Sequence, residues 1–263
     1  MRNRQGDFIW YELMSTDVDK AQAFYSIVLD WEIVNSEMPD MDYRLAFAGE
    51  SPIGGLMRLP QEAIEAGGKP IWAGYIAVDD VDASIVTIME AGGQVLMPAT
   101  EIPEVGRIAM VTDPDGIPFY IMRGATDEPS DAYEPNKIGH CGWNELAAKD
   151  MSSAMAFYST QFNWTMGFEM DMGPMGTYRF IERDGQGFGG IMQASEGAGP
   201  ALWSFYFRVR DIEEAAEKVK SQGGKVLHGP AEVPGGDYII NGLDPQGVLF
   251  SLVGQRQSGS ELS

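Results

Sequence analysis

The chain has 263 residues, of which 44% are hydrophobic and 11% aromatic, so each of two domains could bury a core of its own. Its formal net charge of −21 argues against binding to nucleic acid or to an anionic membrane, because both depend on Lys and Arg. No apolar stretch reaches the length of a signal peptide or a membrane span, and the single cysteine, Cys141, predicts a cytoplasmic protein without an internal disulfide.

The predicted elements begin with a strand over Trp10–Met14, in which side chains alternate between two faces. Asp17 follows as the N-cap of a helix, and three short strands come after it. The order then restarts with a strand over Ala73–Val78, a helix that begins at Asp80, and three strands that end near Met122. Each series predicts one βαβββ segment. The first helix has an apolar stripe at the spacing of one helical face, formed by Ala21, Phe24, Tyr25 and Val28.

The second half of the chain repeats the first. The segment 6–31 returns as 139–164, and shorter motifs return in the same order: Tyr43-Arg44 as Tyr178-Arg179, Gly54-Gly55 as Gly189-Gly190, and Trp72 as Trp203. Two copies of this length indicate a duplicated domain rather than a solenoid. We predict domains over residues 1–123 and 138–254, a polar linker over 124–137 and a flexible tail over 255–263.

The motifs resemble those of the vicinal-oxygen-chelate superfamily, which contains glyoxalase I, extradiol dioxygenases, fosfomycin-modifying enzymes and bleomycin-binding proteins. The resemblance rests on the Phe-Tyr pair of the first helix, the Gly-Gly pair after the second, and the Asp-Pro-Asp-Gly turn at residues 113–116, and it covers nearly the whole chain. It implies an α+β fold of tandem glyoxalase-like domains. Four βαβββ segments would form two half-open sheets that bear clefts, with the helices outside.

The resemblance also implies a divalent metal ion held by His and Glu side chains. The matching positions are Trp10, Ala73 and Tyr120 in the first half and Trp143, Ser204 and Ser251 in the second. None of them is His, Asp or Glu, and an indole nitrogen is only a hydrogen-bond donor. The two histidines, His140 and His228, are expected in loops or at the surface, away from the clefts. We therefore predict no metal site and no other cofactor.

Strand alternation gives the candidate site residues. If Trp10 faces a cleft, Glu12 faces it too, and Trp143 and Glu145 do so in the second half. A carboxylate beside an indole would be partly desolvated, which suits either general acid/base chemistry or the orientation of a ligand. The second segment of each half contributes further cleft residues: Tyr75 and Tyr120 in the first half, and Tyr206, Arg208 and Ser251 in the second.

Two functions of different classes fit these residues. The first is a binding protein that holds a small apolar or aromatic molecule in an aromatic cleft. The second is a metal-independent isomerase, lyase or hydrolase that uses Glu12 or Glu145 as a general base. A metal-dependent lactoylglutathione lyase or dioxygenase is a third. We expect a small-molecule ligand as the partner and a monomer or weak homodimer in solution.

Overall fold

The computed structural model describes residues 3–36, 41–194 and 199–257. The elements of the first half are the strands β1 (Phe8–Ser15), β2 (Glu32–Asn35), β3 (Tyr43–Ala48), β4 (Ser51–Arg58), β5 (Ile71–Ala77), β6 (Val95–Ile102), β7 (Gly106–Thr112) and β8 (Pro118–Gly124), and the helices α1 (Val18–Val28), α2 (Gln61–Glu65) and α3 (Val81–Glu90). Those of the second half are β9 (Cys141–Ala148), β10 (Thr165–Asp171), β11 (Thr177–Arg183), β12 (Gln186–Gln193), β13 (Leu202–Asp211), β14 (Lys225–Glu232), β15 (Tyr238–Leu243) and β16 (Leu249–Gln255), with α4 (Met151–Phe162) and α5 (Ile212–Ser221).

The strands of each half form one eight-stranded sheet. The order is β2-β3-β4-β1-β5-β8-β7-β6 in the first sheet and β10-β11-β12-β9-β13-β16-β15-β14 in the second. The two orders are identical when the strands of each half are counted from its start, and the described strands of neither sheet close into a barrel. The predicted α+β class, with four βαβββ segments in two sheets, is confirmed.

Each of the four long segment helices begins at an aspartate, as predicted for Asp17 and Asp80. Asp17 accepts a hydrogen bond from the backbone N–H of Lys20, and Asp80 accepts one from Ala83. Asp150 and Asp211 cap α4 and α5 in the same way. These bonds satisfy N–H groups of the first helical turn that have no partner within the helix. The predicted apolar stripe of α1 is buried.

The tyrosine of each Phe-Tyr pair lies in a buried hydrogen-bonded group. The Nε1 of Trp72 donates to the hydroxyl of Tyr25 at 3.0 Å, and that hydroxyl donates to Asp244 at 3.3 Å. Burial raises the pKa of Tyr25 well above its usual value, and it also raises the pKa of Asp244. The tyrosine is therefore a permanent hydrogen-bond donor in the core.

The second group has the same design. Trp203 donates to the hydroxyl of Tyr158 at 3.0 Å, which donates to Asp113 at 3.3 Å. Asp113 also accepts the backbone N–H groups of Asp115 and Ile117, so it holds its own turn together. The aspartates of the Asp-Pro-x-Gly turns thus serve the packing of the core.

A glycine precedes the first strand of each half, at a position where a side chain would not fit. Gly6 has φ +88° and its carbonyl accepts from Nε1 of Trp164, while Gly139 has φ +84° and accepts from Nε1 of Trp31. A Cβ on Gly6 would lie 2.5 Å from a backbone oxygen, and one on Gly139 would lie 2.7 Å from the Cβ of Ala48. Both glycines are required by close approach and by a left-handed backbone.

The chain divides into two units, each of which combines segments from both halves of the sequence. The first contains the residues up to Tyr11, with 73–133 and 143–204, and the second contains 12–72, 134–142 and the residues from Phe205 onward. The first unit therefore holds most of β5 with β6–β8 and most of β9 with β10–β12. The second holds β2–β4, β14–β16 and parts of β1 and β13. Hydrogen bonding within the sheets instead follows the two halves of the sequence. The predicted domain boundaries stay a prediction.

Several local features differ from the sequence expectations or extend them. The short helix α2 was not predicted, and His228 lies in strand β14 rather than in a loop, with its side chain exposed. His140 does lie outside the strands, but it is buried rather than at the surface.

Part of the predicted linker is packed, since Ala132 is buried and the hydroxyl of Ser130 donates to the carbonyl of Ile9 at 2.6 Å. Residues 258–263 of the predicted tail lie outside the described residues. Among the described helices, none is long and apolar enough to cross a membrane.

Candidate functional site

Three polar side chains of the second half form a chain of hydrogen bonds. The Nε1 of Trp143 donates to the hydroxyl of Tyr178 at 2.7 Å, and that hydroxyl donates to a carboxylate oxygen of Glu145 at 3.1 Å. Trp143 and Glu145 are both half-buried, whereas Tyr178 is buried. The predicted Trp143 and Glu145 are thus brought together, and the residue that joins them, Tyr178, was not among the predicted site residues.

The Gly-Gly pair of β12 makes this chain of hydrogen bonds possible. Tyr178 is on β11 and Glu145 is on β9, and β12 lies between these strands. Gly190 is paired with Glu145 on one side and with Phe180 on the other. A Cβ on Gly190 would lie 2.2 Å from the Tyr178 ring. The missing side chain therefore lets the tyrosine reach across β12 to the carboxylate.

The first half keeps the same arrangement of tyrosine and glycine. A Cβ on Gly55 of β4 would lie 2.0 Å from the hydroxyl of Tyr43, the tyrosine that corresponds to Tyr178. The carboxylate differs, because Glu12 has only 2% of its surface exposed. Trp10 is half-buried.

Aromatic rings extend the site of the second half toward the edge of its sheet. Phe180 lies 5.7 Å from the Trp143 ring and 5.5 Å from the Tyr178 ring, edge-on to both. Phe168, on the edge strand β10, lies 6.1 Å from Phe180. These four rings, with the carboxylate of Glu145 at one end, form what we call the aromatic row: Trp143, Tyr178, Phe180 and Phe168. All of them belong to the first unit.

The remaining predicted residues form two other groups. Tyr75 and Tyr120 are paired on β5 and β8 and stack with their ring centroids 4.1 Å apart and their planes at 11°. Both are buried. The two predicted residues are therefore in direct contact, and no space for a ligand ring remains between them.

The corresponding group of the second half is polar. Tyr206 and Ser251 are paired on β13 and β16, and both accept hydrogen bonds from the side-chain amide of Asn241, at 3.1 and 2.9 Å. Asn241 was not predicted; the difference between Met110 in the first half and Asn241 in the second is the signal that could have identified it.

Arg208 lies in an ion pair. Its guanidinium donates to both carboxylate oxygens of Asp237, with a shortest distance of 2.6 Å, and to the carbonyl of Pro135. This ion pair lowers the pKa of Asp237. The structure thus gives Arg208 protein partners, and its predicted contact with a ligand stays a prediction.

The residues at the six positions that correspond to metal ligands in the resemblance do not fit a metal ion. The side chain of Trp143 has one nitrogen, which donates a hydrogen bond to Tyr178, and Tyr120 is stacked on Tyr75. The side chain of Ala73 has no atom that could coordinate a metal, and the hydroxyl of Ser251 accepts a hydrogen bond from Asn241. Among the described residues, no group of three or more His, Cys, Asp or Glu side chains could hold a metal.

The sequence matches a known family over both halves. The model of the Glyoxalase/Bleomycin resistance protein/Dioxygenase superfamily matches residues 8–121 and 137–252. The chain belongs to this superfamily. The tandem glyoxalase-like architecture that the motifs predicted is confirmed by this match and by the two sheets.

Curated relatives of this superfamily member cover nearly its full length. One, from Mycobacterium tuberculosis, is named "Putative glyoxylase CFP32" and is 32% identical over 252 residues, with 95% of each chain covered. The anthracycline biosynthesis protein DauV of Streptomyces sp. is 27% identical over 263 residues, covering 95% of this chain and 93% of its own.

Solved structures share the fold of this superfamily member at low identity. The Mn(II)-bound glyoxalase of Novosphingobium aromaticivorans gives a TM-score of 0.63 at 17% identity, covering 97% of this chain and 83% of its own. The 2,2',3-trihydroxybiphenyl 1,2-dioxygenase of Sphingomonas wittichii gives 0.66 at 15% identity, covering 99% and 94%. At these identities the comparison supports the fold alone.

Proposed function

We propose that this glyoxalase-like protein binds a small aromatic molecule on the sheet face that carries Trp143, Tyr178 and Glu145. The observation that carries the proposal is the chain of hydrogen bonds from Trp143 through Tyr178 to the partly exposed carboxylate of Glu145, beside Phe180. The rings offer edge and face contacts to a planar ligand, and the carboxylate accepts a hydrogen bond from its polar group.

The ligand is neutral or cationic, because the protein carries 39 acidic and only 18 basic side chains. The name of a relative agrees with an aromatic ligand: DauV is an anthracycline biosynthesis protein, and anthracyclines are polycyclic aromatic compounds. We expect a monomer or weak homodimer, which sedimentation would measure.

A binding experiment with matched variants tests the proposal. Calorimetric titration of the wild type with 2-naphthol, a neutral aromatic alcohol, should show saturable binding. Glu145→Gln should weaken it about tenfold, because a hydrogen bond to a charged acceptor is replaced by one to a neutral amide. Glu12→Gln is the control at the buried equivalent position and should bind as the wild type does. Absence of saturable binding to the wild type would refute the proposal.

A second candidate is proton transfer by Glu145 without a metal. The observation that favours it is the 3.1 Å hydrogen bond from Tyr178 to the Glu145 carboxylate, which holds a base beside a phenol. With 2-indanone in D₂O, Glu145 would take a proton from the carbon next to the carbonyl and return a deuteron from solvent. Loss of this exchange in Glu145→Gln, with binding retained, would favour the enzyme. No exchange in the wild type would leave the binding function.

The relative named as a glyoxylase raises a third function, which would require a metal. The residues at the six corresponding positions do not fit one. Metal analysis of the purified protein tests this directly, since a stoichiometric transition metal would show that ligands outside these six positions hold it.

A further inference from the structure

Phe168 lies at an irregularity in the pairing of the edge strand β10. It is 69% exposed, and β10 pairs with β11 through Met166↔Ile181 and then Glu169↔Arg179. Gly167 and Phe168 therefore lie together opposite the single residue Phe180. This two-against-one arrangement is a β-bulge.

The bulge determines which face of the sheet Phe168 occupies. If the register continued without interruption from Met166↔Ile181, Phe168 would lie opposite Arg179, and its side chain would point to the face opposite to that of Phe180. With the extra residue it lies opposite Phe180, and the two ring centroids are 6.1 Å apart with planes at 53°. The bulge thus adds Phe168 to the aromatic row, as bulges near functional sites commonly redirect a side chain.

Among the described residues of the first half, the corresponding strand pair β2–β3 has neither the bulge nor the two rings. There β2 pairs with β3 in regular register, through Ile33↔Ala46, Val34↔Leu45 and Asn35↔Arg44. The pair that corresponds to Phe168 and Phe180 is therefore the aliphatic pair Val34 and Leu45. Its carboxylate is also inaccessible, since Glu12 is 2% exposed whereas Glu145 is half-buried.

We propose that Phe168 and Phe180 determine the ligand specificity of the site, selecting a planar polycyclic aromatic compound that carries a hydroxyl group. The hydroxyl donates to Glu145, and the distal ring lies against Phe168 and Phe180. Because the first half has Val34 and Leu45 in place of the ring pair, and the buried Glu12 in place of Glu145, one such ligand binds per chain. This inference rests on the proposed binding function and adds the size of the ligand, the residues that select it and the stoichiometry.

Ligands of two sizes test the role of the pair. In calorimetric titrations, wild-type protein should bind one 2-naphthol per chain, and more tightly than phenol, which is too short to reach Phe168. Phe168→Val, which installs the residue of the first half, should weaken 2-naphthol binding about 3- to 10-fold, the range expected for one aromatic pair. Phenol binding should change by less than about twofold. Val34→Phe is the matched control and should leave both affinities unchanged.

Two single-residue deletions separate the ring from the bulge. Deletion of Gly167 removes the extra residue but leaves Phe168 opposite Phe180, because Met166 and Glu169 keep their partners Ile181 and Arg179, so it should leave 2-naphthol binding unchanged. Deletion of Phe168 removes the bulge and the ring together and should reproduce the loss seen in Phe168→Val; circular dichroism and thermal melting check that both variants are folded.

If Phe168→Val binds 2-naphthol as the wild type does while Glu145→Gln loses it, the specificity inference is wrong and the binding function stands. Two molecules bound per chain would also overturn the inference. If the wild type binds neither compound, the proposed function itself fails.

Discussion

The strands β9–β12 and β1–β4 are two versions of one segment, and the difference between them supports the site that we propose in the second half. Both keep the tyrosine that lies over a glycine: Tyr178 over Gly190, and Tyr43 over Gly55. In the second half the carboxylate of Glu145 is partly exposed and lies at one end of the aromatic row, whereas Glu12, the corresponding residue of the first half, is buried. The features that both halves share are the tyrosine and glycine pairs, the aspartate helix caps, the tryptophans Trp31 and Trp164 and the buried groups around Tyr25 and Tyr158; together we call them the frame. The side chains that a ligand would contact differ between the halves.

The second segments of the two halves differ in a complementary way. Tyr75 and Tyr120 stack as an aromatic pair, whereas Tyr206 and Ser251 share a hydrogen-bond donor in Asn241. An apolar, closed pair in one half thus corresponds to a polar group in the other. The two halves are therefore expected to differ in ligand binding but to agree in the energetics of the frame.

The largest expected effect concerns that frame. Trp31→Ala and Trp164→Ala should each lower the free energy of unfolding by about 3–5 kcal/mol, because each removes a buried indole and its hydrogen bond to a glycine carbonyl. Urea unfolding followed by far-ultraviolet circular dichroism measures both. The comparison predicts similar losses, and a difference of more than about 2 kcal/mol would show that the frame is not equivalent in the two halves.

The frame is also the part of the molecule that the sequence predicts best. Helix starts at Asp17, Asp80, Asp150 and Asp211 follow from capping chemistry, and strand positions follow from alternation. Both depend on residues that are close in the chain, and both recur in the second copy.

The candidate site was predicted only in part, since its geometry depends on strands that are distant in sequence. Trp143 and Glu145 follow from the alternation of one strand, but Tyr178 reaches them across β12. The repeated Tyr-Arg and Gly-Gly pairs contained this signal, because a glycine in mid-strand indicates a close approach. The bulge at Phe168 is a one-residue insertion relative to the first half, and only the pairing of β10 with β11 shows on which face of the sheet the Phe168 side chain lies.

The next largest effect is expected from substitutions in the two tyrosine and glycine pairs, Tyr178 with Gly190 and Tyr43 with Gly55. Gly190→Ala and Gly55→Ala should each cost about 1–3 kcal/mol of stability, because the new Cβ would overlap Tyr178 or Tyr43. Only Gly190→Ala should also weaken 2-naphthol binding, since it displaces the tyrosine that holds Glu145. Equal loss of binding in both variants would mean that the two halves do not differ as proposed.

The smallest effect concerns pH. Burial raises the pKa of Asp113 and of Asp244 in the folded protein, so the folded state binds more protons than the unfolded state just above the usual aspartate pKa. The stability that these groups contribute is therefore complete below the unfolded pKa and is lost as pH rises through the raised value. Asp113→Asn keeps the acceptor oxygen but has no charge to desolvate.

Asp113→Asn and Asp244→Asn should each reduce the change in unfolding free energy between about pH 4 and pH 6, by on the order of 1 kcal/mol. Urea unfolding at several pH values provides the measurement. Because the two buried groups have the same design, one variant with the effect and one without it would contradict the symmetry of the frame.

The decisive experiment is a crystal structure of the protein grown with 2-naphthol. We expect one molecule per chain, with its hydroxyl within hydrogen-bond distance of the Glu145 carboxylate and its distal ring against Phe168 and Phe180. A molecule bound beside Glu12 on β1–β4, or one in each half of the chain, would contradict it.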